Sequence, residues 1–518
     1  MRTGLDRRGF LSTATRAAAG IALAPALIRQ DSSRPAVALG TASGDVTGNR
    51  AVVWGCTDRR ARMFVEWSTT ESFQNVRRVR GPATAQDAGY TARVDLELPP
   101  GERIFYRVQF EDLTDSRSLS IPAAGSFLSA PRESRDVTFA WSADTVGQGW
   151  GINREWGGLR MYDTIRRARP DFFIHCGDTI YADGPLPAEM RLPDGTIWRN
   201  VVTPAKSKVA ETLEEFRGNY AYNLLDDNVR RFNAEIPQLV LWDDHEVKNN
   251  WYPGMSLDGD DRYTEKNARV LAAHARRAFL EYSPIRLPRG ATTRSARIYR
   301  TSSYGPLLDV FALDLRTHRA PNSGNRQPAP SAATAHAGAE QLSWLKRTLL
   351  ASKATWKVIA SDLPIGLIVR DGNTAFEAIA NGSGPPLGRE QEIADLLRFI
   401  RRRKIQNVVW VTGDVHYAAA HHYDPERARF KDFQPFWEFV AGPLHAGTGS
   451  RLPLDDTFGP EARFVGVPPD VTPFQGPAAG LQFFGTVRIQ AKTRRMSVHL
   501  HNLRGDSIYA VDLEPHGV

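Results

Sequence analysis

The stretch DFFIHCGDTIYAD, residues 171–183, opens as an apolar run the length of one buried strand and stops on Gly177-Asp178. Runs of the same kind return in VTFAWSAD (137–144), QLVLWDDHE (238–246), LLDVFALDLRTHR (307–319), WKVIASDLPIG (356–366) and NVVWVTGDVHYAA (407–419). Each reaches an Asp where its apolar character ends. LRMYDTIRRAR (159–169) and EQEIADLLRFIRRRK (390–404) have the periodicity of amphipathic helices. Strands alternating with helices predict parallel βαβ units, in which ligands gather at the carboxyl ends of the strands.

Upstream, residues 35–130 change character. AVVWGC, RMFVEWS, YTARVDLEL and RIFYRVQFE are short alternating or β-branched segments between turns, the spacing of a small antiparallel β-sandwich. SAPRESRD (129–136) has the polarity of a linker, which places the second domain over 136–518. The stretches 185–236, 320–338 and 370–388 read as long loops or insertions. At the N-terminus, Arg7-Arg8-Gly9-Phe10-Leu11 precedes an Ala-rich apolar run and resembles a twin-arginine export signal over residues 1–30. This predicts a periplasmic, cell-surface or extracellular protein with the twin-arginine export machinery as a partner. The alternative is an amphipathic helix that stays on the chain.

With 518 residues, 42% of them hydrophobic, the chain has ample core for two domains. Its two cysteines, Cys56 and Cys176, exclude a disulfide scaffold and a cysteine-based zinc cluster, though not a single bridge. Half of the net charge of +8 lies in the first thirty residues, where five arginines face Asp6. The remainder is too weak to predict a nucleic-acid partner, and no aromatic-basic motif supports one. No stretch beyond the N-terminus is apolar for long enough to span a bilayer once the signal is removed.

Six carboxylates on one sheet edge would repel one another severely unless cations sat between them. A metal cluster resolves this, with Asp144, Asp178, the Tyr181 phenol, Asp244, Asp362 and Asp414 as oxygen donors and His245 and His416 as nitrogens. Hard oxygen donors favour Ca²⁺, Mg²⁺, Mn²⁺ or Fe³⁺, and a phenolate suits Fe³⁺. Asp178 alone would pass for a turn residue. With its companions it becomes the candidate ligand bridging two ions, and His416 a further ligand.

The order Asp144, Gly177-Asp178, Asp244-His245 and GDVH (413–416) resembles the calcineurin-like metallophosphoesterases, whose blocks run D-x-H, GD, GNH[DE] and GHxH. GDTIYAD is similar to the GDxxY block of purple acid phosphatases, whose tyrosine binds ferric iron. LWDDHEVKNNW, LDLRTHR, GAEQLSWLKRTLLASKATWKVIASD and GDVHYAA are closer still to the alkaline phosphatase D (PhoD) family. That resemblance implies a metallophosphoesterase β-sandwich flanked by helices (αββα), preceded by a small all-β immunoglobulin/fibronectin-like domain and an export signal. It implies an alkaline phosphatase or phosphodiesterase that uses a two- or three-metal cluster, Fe³⁺ and Ca²⁺ by preference over Mn²⁺, Mg²⁺ or Zn²⁺.

The chain departs from those blocks in several places. Val146 replaces the His of D-x-H, Asp144 stands where some members have a Cys ligand, and Asp244 and Asp414 replace an Asn and a His. Asp362 is nearest the family's middle ligand. More carboxylates shift preference toward Ca²⁺ as the second metal. By the resemblance, His245 contacts phosphate and protonates the leaving oxygen. Arg316 either contacts the phosphoryl oxygens or braces Asp314. Asn249 and Asn250 are candidate partners orienting the carboxylates. Trp150, Trp156, Trp242 and Trp251 either wall an apolar or sugar-bearing leaving group or pack in the core. Two other functions stay open: a phospholipase D acting on phospholipid diesters, and a non-catalytic metal-binding cell-surface protein.

Overall fold

In the computed structural model, which describes residues 34–517, all six apolar runs form strands. The export signal read over 1–30 lies outside the described residues. Val137–Ser142, Phe172–Cys176 and Gln238–Leu241 run parallel and adjacent in one sheet. Leu308–Ala312, Trp356–Ala360 and Val408–Thr412 do the same in a second. The strand period of two divides their side chains between two faces. Phe139, Trp141, Val358, Ala360, Val409 and Val411 share the core between the sheets. Ile359 and Trp410 face outward onto Leu345, Leu349, Leu397 and Ile400 of the helices Ala339–Ala351 and Glu390–Arg402. Ala140 and Phe173 face Ile165 and Phe232 of the helices Arg160–Ala168 and Asp227–Glu235 on the other side. Apolar surface on both faces is why these runs show no polar alternation.

The layering is therefore αββα. A nine-stranded sheet faces a seven-stranded one. Three C-terminal strands, Phe483–Ile489, Met496–Asn502 and Ser507–Leu513, extend the larger sheet antiparallel beside Val137–Ser142.

The N-terminal strands divide between two sheets. Ala61–Ser68, Arg77–Ala83, Arg103–Asp112 and Ala123–Leu128 form a separate four-stranded sheet. Val37–Thr47, Arg50–Thr57 and Thr91–Glu97 instead continue the nine-stranded sheet. The junction is Gly44 against Gln238, where a Cβ on Gly44 would lie 2.5 Å from the Gln238 carbonyl oxygen. Only glycine permits that approach. Asp45 secures the join by accepting from the Arg286 amide (2.7 Å) and Arg300 Nε (2.9 Å).

The stretch 185–236, read as a long loop or insertion, carries a short hairpin and the helices Leu213–Asn223 and Asp227–Glu235. Leu213–Asn223 begins with a capping box in which Thr212 and Glu215 satisfy each other's amides. Cys56 and Cys176 are both buried and free. No helix among the described residues is long and apolar enough to cross a membrane.

Candidate metal centre

The strand ends that carry the acids leave the sheets through left-handed backbone: φ is 63° at Asp144, 54° at Asp178, 68° at Asp414 and 59° at His416. This conformation costs a residue with a side chain roughly 1–2 kcal/mol, so four such residues around one pocket mark a place where side-chain position outweighs backbone preference. Neighbouring chain ends hold the turns. The Asp144 amide donates to the Gly177 carbonyl (3.3 Å) and the Thr145 amide to that of Asp178 (2.9 Å). The Asp144 carbonyl accepts from the amides of Leu444, His445 and Ala446. Gly442 lies so close that a Cβ there would be 2.3 Å from Asp144 Oδ2.

Three sets of side chains bring ligand atoms within 4.8 Å of one another: Asp144, Asp178 and His416; Asp178, Asp244 and His245; and Asp243, Asp244 and Asp414. Successive sets share Asp178 and Asp244, so a carboxylate stands between each pair of positions. In the first set His416 Nδ1 donates to the Gly447 carbonyl (2.5 Å), which turns Nε2 toward Tyr181 Oη (2.8 Å) and Asp144 Oδ1 (3.6 Å). Burial lowers the His416 pKa to about 4, which keeps Nε2 a lone-pair donor. Burial, reinforced by Asp178 and Asp144, pushes the Tyr181 phenol well above its usual range. Its ring stacks on His245 at 4.1 Å.

In the second set Asp178 Oδ1 accepts from the His245 amide (3.1 Å), and Asp244 Oδ1 from the same amide (2.8 Å). Asp244 Oδ2 accepts from the Asn250 main-chain amide, while the Asn250 side chain donates to Asp371. His245 Nδ1 pairs with Asp183 Oδ1 at 2.6 Å, and Asp183 Oδ2 accepts from the Asn249 amide (2.9 Å). Burial works against charge on His245, but Asp183, Asp244 and Asp178 outweigh it and hold the imidazole protonated well above its ordinary pKa. Glu246 is fully buried and accepts from the amides of Asp178 (3.0 Å), Thr179 (2.7 Å) and Asp243 (2.7 Å), clamping two strand ends together.

Arg316 fills the space behind the third set. Its guanidinium is fully buried, with Nε on Asp243 Oδ1 (2.5 Å) and Asp362 Oδ2 (3.2 Å) and Nη1 on Glu377 Oε1 (2.6 Å). Nη2 approaches Asp414 (3.7 Å) and Asp244 (3.9 Å). Of its two expected roles, bracing Asp314 reduces to an amide contact (3.2 Å). The charged end instead neutralises acids around the cluster. Asp362 lies on Arg316 and belongs to none of the three sets. Asp314 accepts from Trp242 Nε1 (2.8 Å) and from Thr317 (2.6 and 2.9 Å) and is equally outside them. A carboxylate already paired or capped looks the same in sequence as one that is not.

Burial, with neighbouring negative charge adding to it, pushes the carboxyls of Asp144, Asp178 and Asp414 well above their usual range. Both Asp144 oxygens and Asp243 Oδ2 are buried without a hydrogen-bond partner among the described residues. Unpartnered buried oxygens in an all-oxygen and imidazole setting fit hard cations, which would reverse those shifts. The cluster opens into a cavity of about 290 Å³ lined by Asp178, Asp244, His245, Asp414 and His416. Arg370 is the one Lys or Arg among its lining residues, and it makes no ion pair with a described residue. Its ring partner is Phe376, 4.8 Å away, and the adjoining Asp371 accepts from Asn250 Nδ2 (2.8 Å). Trp150, Trp242 and Trp251 are buried, and Trp156 packs on Trp198 and His445.

Sequence reasoning missed Asp243, Asp183, Glu246, Glu377 and Arg370. Asp183 closes the GDTIYAD stretch, and its pairing with the histidine 62 residues later has no local signature. Arg370 sits in a stretch read only as a long loop or insertion.

The sequence model of the PhoD-like phosphatase family matches residues 139–500, and that of the family's N-terminal domain matches 22–131. Alkaline phosphatase D of Bacillus subtilis (strain 168) is 28% identical over 448 residues, covering 81% of this chain and 71% of that protein. A solved structure of PhoD has a TM-score of 0.68 at 21% identity, covering 93% of this chain and 90% of its own. Purple acid phosphatase PPD1 from yellow lupin (Lupinus luteus) seeds has a TM-score of 0.53 at 13% identity, covering 93% and 74%. Both share the fold.

Proposed function

The chain belongs to the PhoD-like phosphatase family and is a metal-dependent hydrolase of phosphoric esters, and from that premise we propose an exported enzyme working on two ions. Asp144, Asp178, Tyr181 and His416 would hold the first ion, and Asp178 and Asp244 the second. The observation that carries this reading is the sharing of Asp178 between two ligand sets that both open on the cavity. The third set has its positive charge already, from Arg316, which favours two ions over three. A phenolate with carboxylates supports Fe³⁺ in the first position, and the oxygen-rich second position supports Ca²⁺, with Mn²⁺, Mg²⁺ or Zn²⁺ as alternatives. When bound, such ions would supply polarisation of a phosphoryl oxygen and a nucleophile from water.

The chain's own residues do the rest. Arg370 offers an unpaired cation to the phosphoryl group, a role Arg316 is too deeply engaged to fill. His245 lies near enough to Asp178 and Asp244 to be a ligand, but its pairing with Asp183 favours a proton donor. With Nδ1 engaged, Nε2 is the position from which a proton reaches the leaving oxygen. Export is supported by the Arg7-Arg8-Gly9-Phe10-Leu11 pattern and the Ala-rich apolar run that follows it.

The test is turnover of p-nitrophenyl phosphate, bis-p-nitrophenyl phosphate and phosphatidylcholine by metal-loaded protein, with and without chelator. The reading expects chelator-sensitive hydrolysis of a p-nitrophenyl ester. Cleavage of the phospholipid alone would favour a phospholipase D. Turnover of none would favour a non-catalytic metal-binding surface protein.

A further inference from the structure

Phe474 breaks two rules at once. It is a bulky residue in the left-handed region, φ 64°, and it is 61% exposed. Either is uncommon, and together they ask for a compensating function. Phe474 lines the cavity that opens on the metal cluster.

Its backbone is pinned to that cluster. The Phe474 amide donates to the Thr448 carbonyl (2.6 Å), the Thr448 amide donates to the Gln475 carbonyl (2.9 Å), and Trp150 Nε1 donates to the Phe474 carbonyl (3.0 Å). A Cβ on Gly447 would lie 3.0 Å from Phe474 Cα. Gly447 is also the residue whose carbonyl orients His416. The buried tryptophan that might have walled the pocket thus supports the residue that does. With its main chain held on three sides, Phe474 presents an exposed apolar ring to the cavity, and among the described residues it stacks on no other ring.

We propose that Phe474 is a specificity-determining residue: its ring stacks on a flat apolar leaving group, so that the site selects aryl or heteroaryl phosphate esters over alkyl ones. Stacking tolerates many ring chemistries because each has a π face. The inference rests on the phosphoesterase reading above and adds the class of ester.

The test compares competitive inhibition by phenylphosphonate, methylphosphonate and inorganic phosphate in the metal-loaded protein. Wild type should bind phenylphosphonate at least about tenfold tighter than methylphosphonate, equivalent to about 1.4 kcal/mol. Phe474→Ala and Phe474→Gly should both reduce that ratio to about twofold or less, while Phe474→Trp retains it. Because Gly is at ease with positive φ and Ala is not, equal losses in the two would tie the effect to the ring and not to strain. Inhibition by phosphate and methylphosphonate reports an intact pocket in each variant. A phenyl-to-methyl ratio that survives Phe474→Ala and Phe474→Gly while phosphate still inhibits would overturn the role of Phe474 alone. Protein that binds no phosphate and hydrolyses no ester would overturn the phosphoesterase reading and this inference with it.

Discussion

Replacing Arg316 by Met leaves three buried carboxylates, Asp243, Asp362 and Glu377, without the cation they surround. Met fills much of the same volume, so the loss is electrostatic and not a cavity. Removing one partner of a buried ion pair costs about 3–5 kcal/mol, because the remaining charge is stranded in a low-dielectric interior. Unfolding entropy near 60 °C is about 2.1 cal/mol/K per residue, so a domain the size of 136–517 carries about 0.8 kcal/mol/K and a 4 kcal/mol loss lowers Tm by about 5 °C. The sign with pH follows from the acids. They are stranded only when ionised, so the deficit should be larger at pH 8 than at pH 5. Adding Glu377→Gln should return about 1–2 kcal/mol, a coupling that two independent sites would not show. Calorimetry of the four proteins at both pH values measures all of this. An Arg316→Met variant with wild-type Tm and weakened phosphate inhibition would refute the reasoning. It would return Arg316 to the phosphoryl contact that the sequence left open.

Three further perturbations probe other parts of the account. Asp183→Asn should lower kcat about 10- to 100-fold, with a greater loss for phenyl phosphate than for p-nitrophenyl phosphate; equal losses would remove His245 from the proton-donor role. Gly442→Ala pushes a methyl group to 2.3 Å from Asp144 Oδ2, so elemental analysis should find the first ion depleted while the fold persists. Burial, with Asp455 adding to it, raises the Glu390 pKa from 4.5 to about 9. The stability from this group is complete below pH 4.5 and is lost at about 1.4 kcal/mol per pH unit as pH rises toward 9. Glu390→Gln keeps an acceptor for Leu387 and Asn381 and should flatten Tm against pH over that window.

Much of the cluster was legible because strand-end acids are a recurring signal: a short apolar run announces a strand, and an acid two or three residues beyond its end announces the turn that leaves the sheet. Asp144, Asp178 and Asp244, beyond strands of the nine-stranded sheet, come together with Asp414 and His416, beyond a strand of the seven-stranded one. The same signal could not separate Asp314 and Asp362 from the others, since their partners, Trp242 and Arg316, come from other strand ends. In Asp243-Asp244 the sequence named one member of the pair, whereas both belong to the third ligand set. Glu246 shows a different limit. It was not singled out in the sequence and acts as a backbone clamp, which only the three amides around it reveal. At the level of the fold, alternation predicted the N-terminal strands. Their division between two sheets depends on one glycine contact with a strand almost two hundred residues away.

The central claim is that Asp178 joins two metal positions and that hydrolysis depends on both. Elemental analysis of the wild type and of Asp178→Asn, each paired with turnover of p-nitrophenyl phosphate, tests it most directly. Two equivalents of metal are expected per wild-type chain, with loss of at least one in the variant and of most activity with it. Full metal content with wild-type turnover in Asp178→Asn would contradict it.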